Sequence, residues 1–138
     1  MTQVLQSPVE QIQDGEVSLA WIFHHEYEPA WTEFPTPDDF SLQVGYVVYP
    51  AGGEIAAHRH RPLERRVHRT AEVLLVKKGR ALADLYSEDD RLVVTRELRE
   101  GDVLLLLSGG HGFRMLEDTV FVEVKQGPYL GDDEKEPL

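Results

Sequence analysis

"AEVLLVKKGRALADLYSEDDRLVVTREL", Ala71 to Leu98, holds three apolar or alternating runs of strand length. "AEVLLV" stops at "KKG", "RALADLY" stops at "SEDD", and "LVVTREL" follows. Runs of about four to eight residues, rich in branched side chains and bounded by glycine or by polar clusters, are β-strands joined by tight turns. None of the three places apolar residues at the i, i+3, i+4, i+7 spacing of a helix.

The same rhythm extends in both directions. Downstream come "DVLLLL", "GFRML" and "VFVEV", separated by "SGG" and "LEDT". Upstream, "VSLAWIFHH" (Val17 to His25) and the β-branched, aromatic "SLQVGYVVY" (Ser41 to Tyr49) are expected as strands, with the proline-rich "EPAWTEFPTPDDF" as the loop between them. "PAGG" then turns the chain into "EIAAHRH", the start of a further extended segment. Strands at this spacing predict an all-β sandwich or barrel in a single domain. We divide the chain into an N-terminal segment (1–40), a barrel (41–126) and an acidic tail (127–138). The first fifteen residues are expected to hold a short helix or a swapped strand.

Composition limits the functions open to this fold. A chain of 138 residues suits one domain, and 41% hydrophobic content supplies a core. A net charge of -11 argues against nucleic acid and anionic membrane surfaces as partners. With no cysteine, disulfides and thiolate chemistry are excluded, and any metal must be held by imidazole, carboxylate or backbone oxygen. No signal peptide or membrane-spanning run is visible, so a cytoplasmic protein is expected.

One group of residues carries chemistry. His58 and His60 are two apart on a segment expected to be extended, where i and i+2 project to the same side and suit two cis ligands. An exposed pair in an arginine-rich turn would read the same. Glu72 opens "EVLLV", and alternation puts Glu72, Leu74 and Val76 on one face, where a buried carboxylate needs a cation or a hydrogen-bonded partner. It could instead mark the strand's exposed mouth. His111, flanked by glycines in "SGGHGF", is either a third imidazole or a turn histidine in solvent. Together, His58, His60, Glu72 and His111 make a three-histidine, one-carboxylate set that a sandwich can assemble.

These residues resemble the cupin superfamily. Its first motif of glycine, His-x-His, glutamate and glycine is matched by Gly53, His58, His60, Glu72 and Gly79, and its second by Gly101, Asp102 and His111 in "GDVLLLLSGGHGF". The likeness spans Ser41 to Val124 and looks like that of small stand-alone cupins. The chain departs from the family by a longer gap between His60 and Glu72, and by Leu107 and Met115 where proline and asparagine are usual. Glu64 meets the usual spacing and is the alternative ligand. Glu72 is preferred because its strand position fixes where it points.

The resemblance implies a jelly-roll β-barrel holding one divalent ion (Fe, Mn, Ni, Cu or Zn), with a coordination position left open for water, dioxygen or substrate. It implies a metal-dependent enzyme of oxygenase or isomerase type acting on a small anionic or hydroxylated metabolite. A non-catalytic sensor, or a metal-free sugar epimerase-like protein with His58 as base, would share the fold. Arg65, Arg69, Gln126 and Tyr129 are candidates at the substrate rim. The apolar Trp21, Ile22, Phe23, Trp31 and Phe34 suggest an edge that pairs across a two-fold axis, so a homodimer is expected.

Overall fold

The structure, a computed structural model, describes residues 8–138. They divide into two compact units, one containing the described residues up to Tyr27 together with Arg69–Leu138, the other Glu28–His68.

The first unit carries eight strands: β1 (Val9–Asp14), β2 (Val17–Phe23), β3 (Glu72–Lys78), β4 (Arg80–Tyr86), β5 (Leu92–Arg99), β6 (Val103–Leu106), β7 (Gly110–Met115) and β8 (Val120–Lys125). A 3-10 turn at Gly131–Glu134 is the only helical element among the described residues. The strands form two antiparallel sheets, one of five in the order β1-β2-β6-β3-β8 and one of three in the order β5-β4-β7. The expected all-β class and two-sheet architecture are therefore present. Closure into a barrel is not: β8 and β7 each end a sheet.

Alternation decides which side chains meet between the sheets. Leu74 and Val76 of β3 are buried, as are Leu104 and Leu106 of β6 and Ala20 and Ile22 of β2. Ala83 and Leu85 of β4 and Leu98 of β5 join them from the smaller sheet to make one core cluster. Burying each large aliphatic side chain contributes about 1.5–3 kcal/mol. The β3–β4 turn depends on Gly79, whose φ is +95° and where an added Cβ would fall 2.3 Å from the carbonyl oxygen of Asp118. Only glycine fits both the backbone angle and the space.

Two expectations about strands are corrected. Of the short helix or swapped strand expected in the first fifteen residues, "VEQIQD" forms a strand, β1, paired with β2 of the same chain through a turn at Gly15-Glu16; residues 1–7 lie outside the described residues. Ser41–Tyr49 is not a strand. It holds a single bridge, Glu33 to Tyr46, and residues 53–68 form no regular structure. Both stretches belong to the second unit, whose internal order comes from that bridge and from Thr36, which donates to Gln43 Oε1 at 2.7 Å. The side chain of Gln43 in turn donates to the carbonyls of Pro37 and Phe40. β-branched composition gives a strand its propensity, but a strand exists only with a neighbour to bond.

Candidate functional site

Within the first unit, one end of the facing sheets opens into a pocket of about 760 Å³. Its wall is built from the start of β3 (Glu72), the β6–β7 turn (Leu107 to Gly109), the start of β7 (Gly110 and His111), the β4–β5 turn and the C-terminal residues Glu134, Lys135, Glu136 and Leu138. Gly109 shapes the turn at φ +71°, where a Cβ would strike the carbonyl of Tyr86 at 2.1 Å.

Register places the polar residues. Glu72 precedes the buried Leu74 and Val76 by two and four residues, so it shares their inward face, as the sequence pattern predicts. His111 lies opposite Leu85, and Phe113 opposite Ala83, so His111 occupies the inward face of the smaller sheet. Its ring lies 5.8 Å from Phe113, which stands 5.3 Å from Phe121 of β8. Glu72 and His111 thus come from opposite sheets into one pocket.

The sequence reading missed the partner of Glu72. Glu123 of β8 lies opposite Leu74, and Lys125 opposite Glu72, so both share that inward face. Burial pushes the Glu72 carboxyl up, and the hydrogen bond and negative charge of Glu123 push it further, to about 7, against the pull of Lys125 and Lys135. Glu123 moves the other way: the proton donated by Glu72 holds it below its ordinary value, aided by Lys125, Lys135 and His111 against desolvation. At neutral pH the two carboxyls share a proton. His111 is held below its ordinary value by desolvation, which outweighs the attraction of Glu123, so the imidazole is neutral in the range where a metal ligand must be. The signal for Glu123 was available: in "VFVEVK" it is two residues from Phe121, and side chains two apart share a face.

The other sequence candidates fall as follows. His58 and His60 lie in the second unit, exposed, with ring centroids 5.3 Å apart, so their imidazoles do project together. His58 Nδ1 lies 2.8 Å from the carbonyl oxygen of Ala56. Glu64 and Arg65 are exposed in the same unit. Arg69 lines the pocket and pairs with Glu88. Gln126 accepts the backbone N–H of Ala71 at 2.8 Å, joining the end of β8 to the approach to β3. Tyr129 is exposed, with Lys125 Nζ 4.5 Å above its ring. Among the described residues, no three histidine or acidic side chains are gathered as ligands of one metal ion. No helix among them is long and apolar enough to cross a membrane.

No protein-family model, curated protein or solved structure matches this chain.

Proposed function

We propose that the protein is a metal-binding cupin in which His58, His60, Glu72 and His111 hold one divalent ion, Fe, Mn, Ni, Cu or Zn. The observation that carries this reading is the convergence of Glu72 and His111 from opposite sheets on one pocket. The donor chemistry fits. A desolvated carboxyl raised by a second carboxylate is relieved by a cation, and a neutral imidazole beside it is ready to ligate. His58 and His60 would supply the paired imidazoles, leaving one or more positions of an octahedral set open. Glu72 is preferred to Glu64 because it stands on the inward face of a strand, whereas Glu64 is exposed on irregular chain. The finer fold proposed with it is a jelly roll, for which the two antiparallel sheets of the first unit are the framework.

The bound ion would supply an open coordination position and Lewis acidity, for oxygenase or isomerase chemistry. Around it, the chain's residues would orient the ligand and move a proton: Glu72 and Glu123 share one between them, and Arg69 sits at the rim. Glu72, Glu88, Asp90, Glu134 and Glu136 outnumber Arg69 and Lys135 on the pocket wall. That balance favours a small hydroxylated metabolite over an anionic one. A second reading, a metal-free binding module, is favoured by one observation: Glu72 already has a hydrogen-bond partner in Glu123.

A homodimer is proposed as well. Trp21, Ile22 and Phe23 are buried within the chain, but Trp31 and Phe34 are exposed, and so are Leu75, Val120, Val122 and Val124. An exposed apolar sheet face suits a second copy.

The test is metal content per chain after purification without chelator. The unmutated protein is expected to hold about one equivalent. His58→Ala, His60→Ala, His111→Ala and Glu72→Gln are expected to lose it, and Glu64→Gln to keep it. Loss in Glu64→Gln with retention in Glu72→Gln would reassign the carboxylate. An unmutated chain that takes up none of the five metals would leave the binding module.

A further inference from the structure

The two sheets end in four edge strands, and three of these are blunted against a further strand. β1 carries Glu10, Gln11, Gln13 and Asp14, and β5 carries Arg96, Glu97 and Arg99. β7 carries Arg114 and is weakened by Gly110 and Gly112. Charge and glycine on an edge discourage pairing. β8 is different: four of its residues are Val120, Phe121, Val122 and Val124. It is regular from Phe121 to Lys125, opposite Val76 to Glu72. Among the described residues, no backbone hydrogen bond outside the strand ladders involves Val120 to Lys125. No residue of β8 is buried, and its three valines are 43% to 54% exposed.

A second copy of β8 fits this edge, and charge selects how. Val122 and Val124 share the outer face with Leu75, and Phe121, Glu123 and Lys125 share the inner face with Leu74 and Glu72. Antiparallel pairing about a two-fold axis perpendicular to the sheet keeps like faces together, which leaves few registers. With the axis at Val122, each Glu123 lies opposite the partner's Phe121 and gains no counter-charge. With the axis at Glu123, two carboxylates oppose each other. With the axis at Val124, each Glu123 lies opposite the partner's Lys125, twice over, while Val124 meets its own copy on the outer face. Opposite charges directly across a ladder stabilise it and like charges weaken it. Both partners are accessible: Glu123 is exposed, and Lys125 Nζ reaches Glu134 of its own chain only at 3.8 Å.

We propose that β8 is the seam of the homodimer, pairing antiparallel with the β8 strand of a second copy with Val124 on the two-fold axis. The inference rests on the homodimer reading above and names its interface and register. The seam joins two five-stranded sheets edge to edge into one continuous sheet.

The chain has no cysteine, so single cysteines introduced along β8 report the register. The experiment compares Val122→Cys, Glu123→Cys and Val124→Cys in the full chain, with Val17→Cys, exposed on β2, as control. Linking in oxidised glutathione is read by non-reducing electrophoresis, and the mass of the unmutated chain by light scattering. A residue on the axis faces its own copy within disulfide reach. Val124→Cys is therefore expected to form covalent dimers about tenfold faster than the other three variants. Fastest linking through Val122→Cys or Glu123→Cys overturns the register. A dimer mass with Val124→Cys linking no faster than Val17→Cys overturns the seam and leaves the homodimer reading standing. A monomer mass for the unmutated chain at micromolar concentration overturns both.

Discussion

The β3–β6 ladder has a carboxylate at each end, and the two are treated in opposite ways. Asp102, just before β6, is 2% exposed. Its Oδ1 accepts the backbone N–H of His25 at 2.7 Å and lies 3.0 Å from His25 Nδ1, and its Oδ2 accepts the backbone N–H of Arg99 at 2.7 Å. Glu72, paired with Leu106 at the other end, faces a second carboxyl and is pushed up to about 7. One carboxylate is surrounded by donors and closes the sheet. The other is short of donors and opens into the pocket. A buried carboxylate answered by donors is architecture, while a half-buried carboxyl that faces a like group marks a site where something else can bind.

Breaking the satisfied end is expected to cost most. Asp102→Ala removes the acceptor of two backbone N–H groups at a buried site and is expected to destabilise the chain by about 3 kcal/mol in urea unfolding. An unchanged midpoint would mean that water replaces the carboxylate and that the two ends do not differ as described.

The unsatisfied end responds with the other sign. Glu72 has a folded pKa raised above its unfolded value, so its contribution to stability is fully present below the unfolded pKa and is lost as pH rises through about 7. Glu72→Gln, melted in the presence of chelator, is expected to be more stable than the unmutated protein at pH 8.5 and equal to it near pH 4. A uniform loss at both would make Glu72 a structural group like Asp102. Glu123→Gln is a gentler change at the same end. It removes the charge that raises Glu72, and the Glu72 carboxyl resonance is expected to titrate closer to the usual carboxylate range. The smallest effect on the folded monomer belongs to the outer face: Val122→Lys is expected to change stability by less than about 0.5 kcal/mol while lowering the mass seen in light scattering from dimer to monomer.

The runs from Glu72 to Lys125 were legible because alternation and turn residues agree there. "EVLLV", "RALADLY" and "VFVEV" each became a strand within a residue or two of its expected limits. The inward placement of Glu72 followed from counting by twos. The sequence leaves β1 open between a short helix and a swapped strand because "VEQIQD" offers few apolar residues, although Gly15, at positive φ in the two-residue loop, is a hairpin turn signal. Ser41–Tyr49 misled for the opposite reason: its valines and tyrosines have strand propensity, but Tyr46 finds a partner only in Glu33. Half of the candidate site was legible by the same logic. Glu72 and His111 could be placed because each sits beside a strand that the sequence announces, whereas His58 and His60 follow a segment whose pairing the sequence does not state. Glu123 was missed because its importance lies in what faces it, and cross-strand register leaves no local pattern.

The Asp102 clasp also bears on how the chain reaches this fold. Its bonds to His25 join residues 77 apart, across the whole second unit and three of the later strands. A contact of that span carries a large loop-closure entropy and forms only after the intervening chain has been drawn together. The clasp therefore acts as a latch rather than a nucleus: Asp102→Ala is expected to speed unfolding while leaving the refolding rate almost unchanged, so that residues set early in the sequence decide how long the native state lasts, not how quickly it is found.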